Sequence, residues 1–138
     1  MIIEEQIVID APPEKVFTVY ADVTNWNIWD PDTKSSSING VFETGATGRI
    51  TPTKGQAINL LFTSVIANKS FTCQGGVPFF KIVFEHELTR KGASTVALHR
   101  VTMSGALTFL IGRMVGGQLK VGLPKTMLSL KRLVEAMK

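Results

Sequence analysis

Two stretches, residues 8–17 (VIDAPPEKVF) and residues 25–31 (NWNIWDP), decide the fold of this 138-residue chain. The β-branched, apolar run over residues 3–10 is typical of a strand. Pro12 and Pro13 cannot continue that strand, whereas a proline suits the first turn of a helix, because its missing N–H would have no partner there. The opening therefore predicts a strand that breaks at the double proline into a helix.

Two short helices are predicted between this strand and the next. Apolar side chains recur at helical spacing from Val16 to Tyr20, which favours a helix that ends near Ala21. Asp22 can cap a second brief helix over residues 23–26. An Asp-Pro-Asp turn ends that helix, and the two tryptophans just before the turn form a corner of the fold.

Six further strands are predicted in the middle of the chain. Each is bounded by Gly, Pro, Asn or Lys, and successive hairpins favour an antiparallel sheet. The predicted strands cover residues 36–42, 47–53, 57–67, 70–74, 79–88 and 95–104.

The last segment, residues 106–137, predicts a helix with two apolar stripes that are roughly 150° apart. Gly116, Gly117, Gly122 and Pro124 lie between the stripes and predict a kink or a break. A helix that first covers a cavity and then packs elsewhere accounts for this pattern, as does one that contributes to a homodimer. The first stripe holds Leu107, Leu110, Ile111, Met114 and Val121, and the second holds Leu123, Met127, Leu130, Val134 and Met137.

Length and composition indicate one globular domain over residues 1–138. The hydrophobic fraction of 44% and the charged fraction of 19% suit an apolar interior larger than a solid core needs. The N-terminus lacks the pattern of a secretory signal, and no apolar segment is long enough to span a bilayer. The single cysteine, Cys73, cannot form an internal disulfide. We therefore expect a cytoplasmic protein without stable membrane insertion.

The net charge of +4 conceals an asymmetry between the two ends of the chain. Residues 1–32 carry seven acids and one base, which gives −6, whereas residues 105–138 carry six bases and one acid, which gives +5. A basic helix face can meet an anionic lipid surface, or it can be a solvated face compensated by the acidic N-terminal segment. The bases have no aromatic residues interleaved for stacking on nucleotides, so we expect no nucleic-acid partner.

The order of these segments resembles the START-like superfamily, also called the polyketide cyclase/dehydrase (SRPBCC) family. Besides the opening stretch, residues 84–88 (FEHEL) and 95–105 (TVALHRVTMSG) look like its last two strands, and residues 122–135 look like its final helix. The resemblance implies an α+β helix-grip fold. In this fold a curved antiparallel sheet of about seven strands surrounds a long C-terminal helix, with two short helices after the first strand and a cavity between sheet and helix.

The family does not select one function, because its members include lipid carriers, hormone receptors, cyclases, oxygenase domains and chaperone activators. Oxygenase members hold iron with histidines and a carboxylate. This chain has only His86 and His99, so we predict no metal site and no cofactor. Whether the protein is an enzyme is left open.

Both histidines are candidates for the cavity wall. Alternation in residues 79–88 puts His86 on the apolar face, and the family resemblance favours the His99 face of the next strand as inward. A hairpin centred near Lys91 then predicts Phe84 opposite His99, with His86 on the diagonal at about 7–8 Å. The two histidines are polar anchors, a general acid–base pair for a carbonyl ligand, or side chains satisfied by backbone and water.

The leading hypothesis is binding of a small hydrophobic or amphipathic ligand, lipid or polyketide-like, in the cavity. One alternative is a cyclase- or dehydratase-like enzyme acting on an aromatic or polyketide substrate. Another is a protein- or membrane-docking module that uses the basic C-terminal helix. Trp26 and Trp29 either form an aromatic rim at the cavity mouth with Tyr20 or fasten the short helices to the sheet. The candidate ligand-binding residues are Trp26, Trp29, Phe80, Ile82, Phe84, His86, His99, Val101, Leu110 and Met114.

Overall fold

Seven antiparallel strands form one sheet in the computed structural model, which describes residues 1–137. The order across the sheet is β1-β7-β6-β5-β4-β3-β2, so each strand from β2 to β7 pairs with its sequence neighbour and β1 joins at β7. This topology confirms the α+β helix-grip fold with seven strands. The strands are β1 (Ile2–Ile9), β2 (Thr33–Asn39), β3 (Thr47–Pro52), β4 (Ile58–Ile66), β5 (Ser70–Val77), β6 (Phe80–Lys91) and β7 (Ser94–Ser104).

The two predicted short helices follow β1 directly. Helix α1 (Pro13–Ala21) has a proline in its first turn, and a 3-10 helix (Val23–Ile28) follows at once. The indole N–H of Trp26 donates to the backbone oxygen of Tyr20 at 2.9 Å and ties the second helix to the first. The double-proline stretch thus produces the local structure that its residues predict.

The pairing of β6 with β7 differs from the prediction. His86 lies directly opposite His99, and Phe84 lies opposite Val101. The predicted diagonal arrangement is wrong because the hairpin turns after Lys91, with Gly92 in the left-handed region at φ 61°. A register error of two residues keeps each side chain on its face of the sheet. Phe80, Ile82 and Leu88 of β6 are buried, as are Ala97, His99, Val101 and Met103 of β7, which confirms the predicted inward faces.

The long helix α2 (Arg113–Ala136) runs without a break through Pro124, and a single π-helical turn (Thr108–Gly112) precedes it. Of the two predicted alternatives, a kink or a break, the break is wrong, because the helix is continuous from Arg113 to Ala136. Gly116 and Gly122 are buried, and a side chain at either position would collide with Met1 or Asp32. These glycines therefore allow close packing of α2 against Met1 and Asp32.

The two apolar stripes of the C-terminal helix have different surroundings. The second stripe is in the core, where Leu123, Met127, Leu130 and Val134 are buried. The first stripe is split, because Leu107 and Ile111 pack against the core whereas Leu110, Met114 and Val121 are exposed. No helix in residues 1–137 is long and apolar enough to cross a membrane.

Candidate functional site

A cavity of about 90 Å³ lies between the inner face of the sheet and α2. Strands β3 to β7 supply one wall of the cavity. Trp26 and Trp29, which we call the Trp corner, supply a second, and α2 supplies a third through Leu119 and Leu123. The polar groups on the wall include His86, His99 and Asp30. The apolar lining consists of Trp26, Trp29, Ile50, Leu60, Phe71, Cys73, Phe84, Val101, Leu119 and Leu123.

The structure brings part of the predicted set together. Phe80 and Ile82 face inward but pack in a second core cluster with Met103, beside the cavity. Leu110 and Met114 are 63% and 64% exposed and lie outside the lining, so the expectation that they border the cavity is wrong. Six predicted residues border the cavity, and their contact with a ligand stays a prediction: Trp26, Trp29, Phe84, His86, His99 and Val101.

The Trp corner does not form an exposed rim, because Tyr20, Trp26 and Trp29 are buried. The Trp26 ring stacks on Phe71 of β5 with a centroid distance of 5.7 Å, and Trp29 packs against Tyr20 at 5.8 Å. The corner thus fastens both short helices to the sheet. Of the two predicted roles the structure shows the fastening one, and the same two indoles also form part of the cavity wall.

His86 has a defined tautomer. Its Nδ1 lies 3.3 Å from the backbone oxygen of Phe71, and since a carbonyl only accepts, Nδ1 carries the proton. The His86 ring also stacks on the Phe71 ring at 3.8 Å. Burial lowers the pKa of His86 to about 3, because the effect of burial is larger than the opposing effect of the hydrogen bond to Phe71. His86 is therefore neutral at physiological pH, and its Nε2 is an acceptor.

His99 is joined to Tyr20 across the core. The Tyr20 hydroxyl and Nε2 of His99 are 2.7 Å apart, and the rings of His99 and His86 are 4.4 Å apart. Burial, together with the nearby His86, holds the pKa of His99 well below its usual range. Burial likewise raises the pKa of Tyr20. All three groups are therefore uncharged at neutral pH.

Two further residues of the cavity lining, Trp29 and Asp30, carry polar groups. Within residues 1–137, nothing accepts a hydrogen bond from the buried Nε1–H of Trp29. Burial raises the pKa of Asp30, although Thr33, the backbone of Asp32 and Thr126 donate to its carboxylate. The bond from the Asp32 backbone confirms Asp30 as a turn residue. The 3.2 Å bond from Thr126 of α2 was not predicted, since no sequence pattern links positions 96 residues apart.

We expect Tyr20 to resist ionisation in alkali. It is the only tyrosine of the chain, so the absorbance change of phenolate formation reports on this side chain alone. Because its pKa is raised in the folded state, stability is lost as the pH rises above about 10, where an unfolded tyrosine ionises. Phenolate absorbance should therefore appear together with the loss of circular dichroism. Ionisation near pH 10 in a fully folded protein would show that water reaches the hydroxyl.

The remaining candidate chemistry is limited. Burial raises the pKa of Cys73 to about 12, which leaves its thiol protonated and a poor nucleophile. Arg100 forms ion pairs with Glu4 and Glu85. In the part of the chain that the structure describes, no three His, Cys, Asp or Glu side chains are grouped as metal ligands would be.

Solved structures share this architecture at low sequence identity. Protein MLL2253 from Mesorhizobium loti has a TM-score of 0.81 at 16% identity, covering 100% of this chain and 99% of that chain. A hypothetical protein from Helicobacter pylori has a TM-score of 0.81 at 9% identity, covering 97% and 88%. Ara h 8.0201 has a TM-score of 0.74 at 15% identity, covering 99% of both chains. Such similarities show the fold alone.

The sequence comparison is more specific. Residues 1–136 match the family model described as polyketide cyclase / dehydrase and lipid transport. Among curated proteins, none matches the chain.

Proposed function

The chain belongs to the polyketide cyclase / dehydrase and lipid transport family, and from that premise we propose that it binds a small hydrophobic ligand in the cavity between the sheet and α2. The observation that carries the proposal is the apolar cavity lined by two neutral histidines and by Trp29, whose indole N–H has no acceptor within residues 1–137. Affinity comes from apolar surface removed from water, at about 25 cal/mol per Å². The polar groups then set the orientation of the ligand.

The polar groups favour an uncharged ligand with a carbonyl or a hydroxyl. The N–H of Trp29 offers a donor, and Nε2 of His86 offers an acceptor. An anionic ligand is disfavoured because the carboxylate of Asp30 borders the same cavity. Pairing the Trp29 donor with the ligand would also satisfy a buried group that otherwise costs about 1–3 kcal/mol.

The size of the cavity favours a compact ligand. Its volume of about 90 Å³ is below the range of about 300–1,000 Å³ that is usual for drug-sized ligands. A cavity of about 150 Å³ holds one benzene ring, so this space suits a single small ring, and both a fused polyketide-like ring system and a long acyl chain exceed it. An acyl lipid would require α2 to move away from the sheet.

A cyclase-like enzyme is the second candidate, and the Tyr20–His99 hydrogen bond beside His86 is the observation in its favour. Proton transfer is most efficient when the pKa of the catalytic group lies near the working pH. His86, with a pKa of about 3, is a weak base, and His99 is displaced in the same direction. The histidines therefore fit hydrogen bonding to a ligand better than general acid–base catalysis.

We predict that Leu60→Phe weakens ligand binding at least tenfold. Leu60 is buried and borders the cavity, so a larger ring at this position fills space that the ligand needs. Trp26 and Trp29 are the only tryptophans and both line the cavity, so their fluorescence reports occupancy. The measurement is a titration with acetophenone, a neutral ketone with one ring, with palmitate as the anionic acyl comparison.

The matched control is Leu61→Phe, because Leu61 is the next residue of β4, is exposed and does not border this cavity. Its affinity for the ketone should stay within twofold of wild type. Trp29→Phe keeps an aromatic ring but removes the N–H, and it should weaken binding of the ketone about tenfold. Equal effects of Leu60→Phe and Leu61→Phe would contradict binding in the cavity, and tighter binding of palmitate would contradict the ligand class.

A further inference from the structure

The outer face of the C-terminal helix presents large apolar side chains to solvent. Met114, Val121 and Leu128 follow each other at intervals of seven residues, which puts them on one face of α2. Phe109 and Leu110 of the π-helical turn, just before the N-terminal end of α2, are exposed as well. These five side chains are between 41% and 71% exposed, and we call them the apolar row.

The apolar row lies within a positively charged segment. Residues 105–134 contain five bases and no acid. Arg113, Lys120 and Lys125 are exposed and make no ion pair with any residue in the range 1–137. In contrast, Lys131 pairs with Glu135 and also donates to the backbone oxygen of Val8. The three cations beside the apolar row are thus available to a partner of opposite charge.

We propose that the apolar row and its three flanking cations form a docking surface for an anionic phospholipid bilayer. A helix with bulky apolar residues beside Lys and Arg lies in the plane of the interface, with its apolar side chains among the acyl chains and its cations among the headgroups. Each cation near an anionic membrane surface contributes about 1 kcal/mol. This surface lies outside the cavity, so it is independent of the proposed ligand.

The charges argue against other occupants of the surface. A second copy of this chain, related by a two-fold axis, would place the same positive segment on both sides of the interface, and like charges would repel. A nucleic acid would satisfy the cations through its phosphates, but it would leave the apolar row without a partner. An anionic bilayer satisfies both kinds of side chain.

The test is cosedimentation of the full chain with vesicles of phosphatidylcholine alone or with 30% phosphatidylserine. Wild type should bind only the anionic vesicles, and less as salt is raised. Lys120→Glu/Lys125→Glu should lower the partition coefficient at least 30-fold, at about 1 kcal/mol per cation removed. Met114→Ser/Val121→Ser should lower it at least tenfold, because apolar burial in the interface is lost.

Lys69→Glu/Lys91→Glu is the matched control, since it makes the same change in net charge. Lys69 precedes β5 and Lys91 ends β6, so both lie at one end of these two strands. The turn from β5 to β6 is at the opposite end. There the backbone oxygen of Phe79 accepts a hydrogen bond from the N–H of Leu107, just before the π-helical turn. This control should bind vesicles within threefold of wild type. Equal loss in both charge variants would overturn the proposal. So would equal binding to neutral vesicles, tighter binding to duplex DNA, or a dimer that Met114→Ser/Val121→Ser dissociates.

Discussion

Phe71→Ala should lower the free energy of unfolding by about 3–5 kcal/mol. Phe71 is fully buried, and its ring contacts Tyr20, Trp26 and His86 at centroid distances of 5.0, 5.7 and 3.8 Å. It therefore joins both short helices and β6 to β5. Removal of the ring leaves a void at this junction, and the surrounding rings are held by too many contacts to refill it. Urea unfolding at neutral pH, followed by circular dichroism, measures the loss.

Phe79→Ala is the matched control for this prediction. Phe79 is 74% exposed and contributes little to the core, so its removal should change the free energy of unfolding by less than about 0.5 kcal/mol. Both variants delete the same side chain and differ only in its surroundings. Similar urea midpoints for the two variants would show that the ring cluster around Phe71 does not hold the fold together.

Acidification from pH 7 to pH 5 should destabilise the protein by on the order of 4 kcal/mol through its two histidines. Both have lowered pKa values in the folded state, about 3 for His86 and well below 6.5 for His99. The unfolded chain therefore takes up protons below about pH 6.5, while the folded chain does not. The contribution of the histidines to stability is fully present above the pKa of the unfolded chain. It decreases as the pH is lowered, until the folded histidines themselves ionise.

The measurement is a series of urea midpoints between pH 5 and pH 7.5. His86→Gln/His99→Gln should flatten the pH dependence over this range, whatever its effect on stability at pH 7.5. The carboxyl groups contribute less there, since unfolded carboxyls titrate nearer pH 4. The raised pKa of Asp30 acts with the opposite sign, because its protonation relieves the cost of burying the carboxylate. A wild-type slope equal to that of the double variant would contradict neutral buried histidines.

Much of the fold follows from local chemistry. Pro12 and Pro13 stop β1 in any context, because they lack the N–H that the strand needs. The inward position of His86 follows from strict alternation between the two faces of a strand. For these features the deciding interactions lie within a few residues along the chain.

The candidate site was less predictable, because its contacts join distant parts of the chain. The position of His86 opposite His99 depends on where the β6–β7 hairpin turns. The hydrogen bond between Tyr20 and His99 spans 79 residues. Both stripes of the C-terminal helix have the same apolar character, and only the position of α2 against the sheet decides that Met114 is exposed and Met127 is buried.

The resemblance to a known family implied a fold that encloses a cavity, whereas the residue pattern itself determined the order of strands and helices and the inward face of β6. Those properties depend on backbone sterics and hydrophobic periodicity, which act locally. Only the tertiary structure decided the volume of the cavity, the unpaired N–H of Trp29 and the uncharged state of His86 and His99. The physical reason is that packing and desolvation depend on every group that surrounds a side chain, and the chain brings those groups together only when it folds.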